Sequence, residues 1–93
     1  MVLYKTPSFI RAAKQLIKKN PYISNDFKNT LEKLAEDPFD AQLKTHKLKG
    51  RLFGSYACSV NYEIRIIFQL IKDDDKREKI ILFEGIGTHD NVY

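Results

Sequence analysis

Tryptophan is absent from this 93-residue chain, and cysteine and methionine occur once each. The lone cysteine, Cys58, has no partner for an internal disulfide, so no covalent staple holds the fold and a reducing compartment suits it. It stands between Ala57 and Ser59 in an alternating run and reads as a small packing residue rather than a nucleophile. Only two histidines are present, without a second cysteine or spaced carboxylates, so no zinc pattern is recognisable. No apolar run nears the roughly 20 residues that span a bilayer. The opening Met1-Val-Leu-Tyr-Lys-Thr-Pro7 lacks the apolar core of a signal peptide. Repeats, low-complexity tracts and linkers are missing too. The expectation is a single cytoplasmic domain over residues 1–93, with no metal, no cofactor and no membrane partner.

At 43% hydrophobic and 30% charged, the chain has the composition of a globular domain with one modest core. Its net charge of +4 is unevenly spread. Between Lys44 and Arg65 stand five basic residues and one acid, Glu63, so this stretch accounts for the whole surplus. A concentrated positive region fits a polyanionic partner, while a solvated lysine-rich face is the plainer reading.

Met1 to Lys5 reads as a short edge strand. Thr6-Pro7 is a helix start, a hydroxyl N-cap followed by proline where its missing N–H costs nothing. Phe9, Ala13, Leu16 and Ile17 then recur at helical spacing, and Asn20-Pro21 ends the helix. A second helix starts at Ser24 or Asn25, carries Phe27, Leu31 and Leu34 on one face, and stops at Asp37-Pro38. The pair is predicted to form an antiparallel hairpin covering a sheet. Phe39 to Thr45 reads as loop. From His46 the period is two: Tyr56, Cys58 and Val60 alternate with Ala57, Ser59 and Asn61. After a turn at Asn61-Tyr62-Glu63, the run Ile64 to Ile71 is rich in β-branched residues. A charged turn, Asp73 to Glu78, joins it to a strand over Lys79 to Ile86. The acidic triplet Asp73 to Asp75 lacks the glycine and ligand spacing of a calcium loop and reads as a solvated turn. The predicted class is α+β, with a mainly antiparallel sheet.

Three residues carry the most chemistry. His46 precedes the basic stretch, His89 lies in Gly87-Thr-His89, and neither sits on an apolar face. Arg65 interrupts the most apolar strand, between Ile64 and Ile66. An exposed strand arginine is the bland reading. The functional one is a fixed guanidinium binding phosphate bidentately, for which lysine is a poor substitute. Metal-free RNA cleavage needs a base for a ribose 2′-OH, a cation for the phosphate and an acid for the leaving oxygen. His46, Arg65 and His89, with Glu63 near in sequence, supply these types. Lys47, Lys49 and Arg51 suit the flanking backbone, and Tyr93 suits stacking on a base.

The motifs His46-Lys-Leu-Lys-Gly50, Gly54-Ser-Tyr56, Glu63-Ile-Arg65-Ile-Ile-Phe68 and Gly87-Thr-His89 with a terminal aromatic resemble the RelE/ParE superfamily of bacterial toxins, in particular its YafQ-like branch. They cover about half the chain. The resemblance implies a two-helix hairpin on a twisted, mainly antiparallel four-stranded sheet. It implies an mRNA endoribonuclease acting at the ribosome without metal and leaving a cyclic phosphate. It also implies a cognate antitoxin as partner, with operator DNA bound only through the antitoxin complex. Carried over, His46 matches the histidine before Leu-x-Gly and His89 that of Gly-Thr-His. Glu63 falls where the branch has a catalytic aspartate, Arg65 on the phosphate-holding arginine, and Tyr93 on the terminal aromatic. The branch has a further histidine where this chain has Ser59.

Two other readings share the fold. A ParE-like gyrase inhibitor needs no acid/base histidines, and Gly-Thr-His argues against it. A catalytically weakened homologue retained only to bind its antitoxin is the third reading, and Ser59 is compatible with it.

Overall fold

The computed structural model describes residues 1–75 and 78–88. Its elements run β1 (Val2–Lys5), α1 (Pro7–Lys19), α2 (Ser24–Glu36), β2 (His46–Lys47), β3 (Tyr56–Ser59), β4 (Ile64–Asp73) and β5 (Glu78–Thr88). Single 3-10 turns lie at Pro21–Ile23, Ala41–Leu43 and Gly50–Leu52.

Thr6 caps α1 as the sequence predicts. Its hydroxyl accepts the Phe9 N–H at 3.2 Å and donates to the Phe83 carbonyl at 2.9 Å, tying the helix start to β5. Pro7 fills the first helical position. At the other end the backbone N–H and side-chain amide of Asn20 both donate to the Leu16 carbonyl. α2 begins at Ser24, but without a side-chain cap; it grows directly out of the Pro21–Ile23 turn, whose Ile23 is buried. Thr30 sits buried in α2 because its hydroxyl donates to the Asp26 carbonyl at 2.7 Å.

The sheet order is β1-β5-β4-β3-β2. Pairings β2–β3, β3–β4 and β4–β5 are antiparallel, whereas β1 runs parallel to β5. Two expectations are corrected here. The sheet is mixed, with five strands among the described residues rather than four, because His46–Lys47 hydrogen-bonds to Tyr56–Ala57 as a short edge strand. The expected edge strand does precede the helices and lies at the sheet edge, but it runs parallel to β5, with Val2 opposite Ile80, so the order is not helices first and the sheet is not wholly antiparallel.

One face of the sheet packs under the helices. Phe9, Leu34, Leu43, Cys58, Ile66, Phe68, Ile81 and Phe83 form a single buried cluster. The Phe9 and Phe83 rings stack at 4.9 Å. Each such buried phenylalanine contributes about 1.5–3 kcal/mol by leaving water. Leu43 reaches the cluster from the segment expected as plain loop, which closes into a 3-10 turn capped by Asp40.

The other face carries the polar chemistry. β4 and β5 slip register between Ile67 and Phe68, where Ile67 faces Gly85 and Phe68 faces Phe83. The extra residue in this bulge is Glu84.

Candidate functional site

Residues directly opposite in adjacent strands share a face. His46, Ala57, Ile67 and Gly85 therefore form one row across β2 to β5 on the face away from the helices. Ser59, Arg65 and Gly87 form the next row on that face. From strand spacing and rise, the α carbons of His46 and Arg65 stand roughly 12 Å apart, two strands and two residues removed. Between them on this face lie Ala57 and Ile67, both buried.

His46 is exposed on edge strand β2. Its Nδ1 donates to the Lys44 carbonyl at 3.1 Å, since a carbonyl only accepts. In the neutral ring the lone pair then lies on Nε2. The turn that makes this bond possible runs through Lys44, which holds the left-handed conformation at φ 53° and ψ 38°.

Arg65 is half-buried. Its Nη1 donates to the carbonyls of Asn61, Tyr62 and Ile64 at 2.7, 3.0 and 3.2 Å. It thus staples the bend between β3 and β4, which the Asn61 side chain also holds by accepting the N–H groups of Glu63 and Ile64. The Nε–Nη2 edge makes no hydrogen bond among the described residues, and that edge can take a phosphate bidentately. The bland reading of a fully exposed strand arginine does not hold: on the same face Ile67 is buried at 4% exposure, and Ala57 opposite it is buried too.

Glu63 lies exposed in the bend, and its carboxylate makes no ion pair among the described residues. Lys47, Lys49 and Arg51 are all exposed beside the β2 edge. His89 and Tyr93 lie outside the described residues. β5 runs to Thr88, which pairs with Ile64 next to Arg65. Ser59 is directly opposite Arg65.

Cys58 is buried on the helix-facing side. Burial pushes its thiol up to about 12 from 9.0, against smaller downward pulls from the Ile66 backbone and the Arg65 charge. A thiol so far from ionising is a core residue, not a nucleophile.

Sequence reading missed Glu84. Its Oε1 accepts the hydroxyl of buried Ser55 at 2.6 Å, spanning from β5 past β4. The only sequence signal was a lone acid inside an apolar strand; the bulge that redirects it leaves no local signature. Phe53 was missed as well. It is 85% exposed within the basic stretch, an unusual place for a large apolar ring. Among the described residues no helix is long and apolar enough to cross a membrane.

A mixed sheet of this order, with two helices on one face and a basic edge, is the fold of RelE/ParE-type toxins. It is similar to a YoeB/ParE toxin from Agrobacterium tumefaciens, at 17% identity and TM-score 0.77, covering 96% of this chain and 99% of that one. It is likewise similar to YafQ from Escherichia coli strain BL21(DE3), at 22% identity and TM-score 0.78, covering 98% and 96%. The E. coli DinJ–YafQ complex matches at 22% identity and TM-score 0.75, covering 98% and 96%. No curated protein sequence matches the chain. The family model described as the bacterial toxin of type II toxin–antitoxin systems, YafQ, matches residues 1–93, and the chain belongs to this family.

Proposed function

We propose that this toxin is an endoribonuclease that cuts mRNA at the ribosome without a metal ion. A base removes the proton of a ribose 2′-OH, and the oxygen attacks the adjacent phosphorus. The bond from phosphorus to the 5′-oxygen breaks, and an acid protonates that oxygen. The products are a 2′,3′-cyclic phosphate and a 5′-hydroxyl. His46 and His89 divide the proton transfers, with Nε2 of His46 as its working nitrogen. Arg65 stabilises the charge on the phosphate through its Nε–Nη2 edge. Glu63 takes the place of the branch's aspartate, one methylene longer. Lys47, Lys49 and Arg51 hold the flanking backbone, and Tyr93 stacks on a base.

The observation that carries this reading is the pair of adjacent rows holding His46 and Arg65 on one sheet face, beside an exposed lysine-rich edge. The partner expected in the cell is a cognate antitoxin, as DinJ is for E. coli YafQ. Operator DNA is expected to be bound only through that complex. Induced expression should arrest growth, and co-expression of the neighbouring gene's product should relieve it. A gyrase inhibitor would instead block supercoiling while leaving translation intact, and a merely antitoxin-binding homologue would arrest nothing. Ser59 opposite Arg65 keeps the last reading in view, because serine is no imidazole base at neutral pH.

A further inference from the structure

Phe53 is placed where folding alone gives no reason for it. Its ring is 85% exposed and stacks on no other ring among the described residues. The loop that presents it is nonetheless fixed. The Phe53 N–H donates to the Gly50 carbonyl at 3.0 Å, and the Ser55 N–H to the Leu52 carbonyl at 3.0 Å. The Leu48 N–H closes the base on the Ser55 carbonyl at 2.9 Å. Gly50 and Gly54 hold φ of 69° and 95°, conformations that side chains resist, so glycine is needed on both flanks of the turn. A large apolar ring is thus held in water by a pre-organised loop, and binding there would cost little ordering.

Beneath the ring lies a cleft of about 310 Å³, lined by Lys47, Leu48, Lys49, Phe53, Gly54 and Tyr56. This is the small end of the roughly 300–1,000 Å³ range of small-molecule sites, suited to one nucleoside. Its back wall is rigid. Tyr56 stacks on Phe68 at 5.8 Å and meets Phe39 edge-on at 5.6 Å. Its lining holds two lysines and no acid. An aromatic platform flanked by cations is the arrangement that binds single-stranded nucleic acid.

We propose that this cleft is a nucleobase subsite for single-stranded RNA. One base stacks on Phe53, and the adjoining phosphates lie on Lys47 and Lys49. Lys47 pairs with Tyr56 on the sheet face opposite to that of His46, so the subsite lies around the β2 edge from His46 and receives a nucleotide displaced from the cleaved bond. It rests on the reading of the protein as acting on RNA, but its contacts are distinct from those of Arg65. Two lysines with no acid suit a polyanion rather than an apolar segment, and the exposed ring beside them, which a base can stack on, favours RNA over an acidic peptide.

The test uses the full chain and a short 2′-O-methyl RNA, which lacks the attacking hydroxyl, carrying 2-aminopurine as the stacking probe. The parent should quench the probe on binding. Phe53→Ala and Phe53→Leu should each weaken binding by roughly five-fold or more and lose the quench, while Phe53→Tyr keeps both. Phe53→Leu separates stacking from simple apolar contact. Lys47→Gln with Lys49→Gln should flatten the slope of log affinity against log salt by about 1.4. Parent-like binding by Phe53→Ala overturns the subsite. So does a Phe53→Ala defect confined to capture of the antitoxin, which makes the loop a protein-docking surface. Cleavage of mRNA in a translation extract is read alongside. A parent that cleaves while oligonucleotide binding ignores Phe53 sinks the subsite alone. A parent that binds through Phe53 without cleaving sinks the nuclease reading alone, and a parent that does neither sinks both.

Discussion

Arg65 donates from Nη1 to the Asn61 carbonyl at 2.7 Å. The side chain best suited to a phosphate is therefore also the staple of the turn that leads into its own strand. One nitrogen orders the bend, and the opposite edge of the same planar group makes no hydrogen bond among the described residues. Lysine has three donors on one atom and no second edge, so the two roles separate on substitution.

Arg65→Lys should keep most of the staple and lose the phosphate edge. Its unfolding free energy should stay within about 1 kcal/mol of the parent. Its cleavage rate should fall by roughly 100-fold or more, the usual cost of one transition-state donor. Arg65→Ala should lose both, with a destabilisation of about 1–3 kcal/mol from the unpaired carbonyls. Denaturant titration beside a cleavage assay reads the two effects separately.

His46→Gln tests proton transfer with little change in shape. A glutamine amide can still donate to the Lys44 carbonyl, but it cannot exchange a proton near neutral pH. The melting temperature should move by no more than about 4 °C for an exposed position. The cleavage rate should fall by ~10²–10⁴-fold. A rate close to the parent's removes His46 from the mechanism.

Ser59→Ala addresses the position where the family branch carries histidine. Ser59 faces Arg65, yet its hydroxyl has no assigned step in the proposed chemistry. The rate should stay within about three-fold of the parent's, the spread of a surface change worth ~0.5 kcal/mol. A larger loss makes Ser59 part of the site.

Cys58 supplies a pH prediction with a definite sign. Its thiol is raised from 9.0 to about 12 in the folded state. The neutral form is the one the fold favours, so this contribution is fully present below pH 9.0 and is lost as pH rises through about 12. Native protein at pH 8 should resist Ellman's reagent, with full reaction only on unfolding. Rapid reaction of the folded protein would contradict the burial of the thiol.

Local signals made much of the fold legible. Thr6-Pro7, Asn20-Pro21 and Asp37-Pro38 mark both helices, because caps and prolines act over a few residues. The β-branched run from Ile64 and the Asn61 turn were equally plain. The parallel pairing of β1 with β5 was not, since it joins segments far apart in sequence and no periodicity encodes a partner. The brevity of β2 was not legible either: the period-two reading ran on from His46, but only His46–Lys47 pairs before the chain turns through Gly50–Leu52. The site was half legible. His46 and Arg65 stood out by residue type, but their shared face depends on the β2–β3–β4 register. Glu84 depends on a bulge, and Phe53 was passed over because aromatic residues ordinarily signal core.

The central claim, RNA cleavage on the face of His46 and Arg65, is tested most directly by mapping mRNA 5′ ends after brief induction of the parent, His46→Ala and Arg65→Ala. New 5′-hydroxyl ends inside coding sequences with the parent, absent or reduced by roughly 100-fold in both variants, are the predicted result. Undiminished cleavage by both variants, or growth arrest by the parent with no new ends, would contradict it.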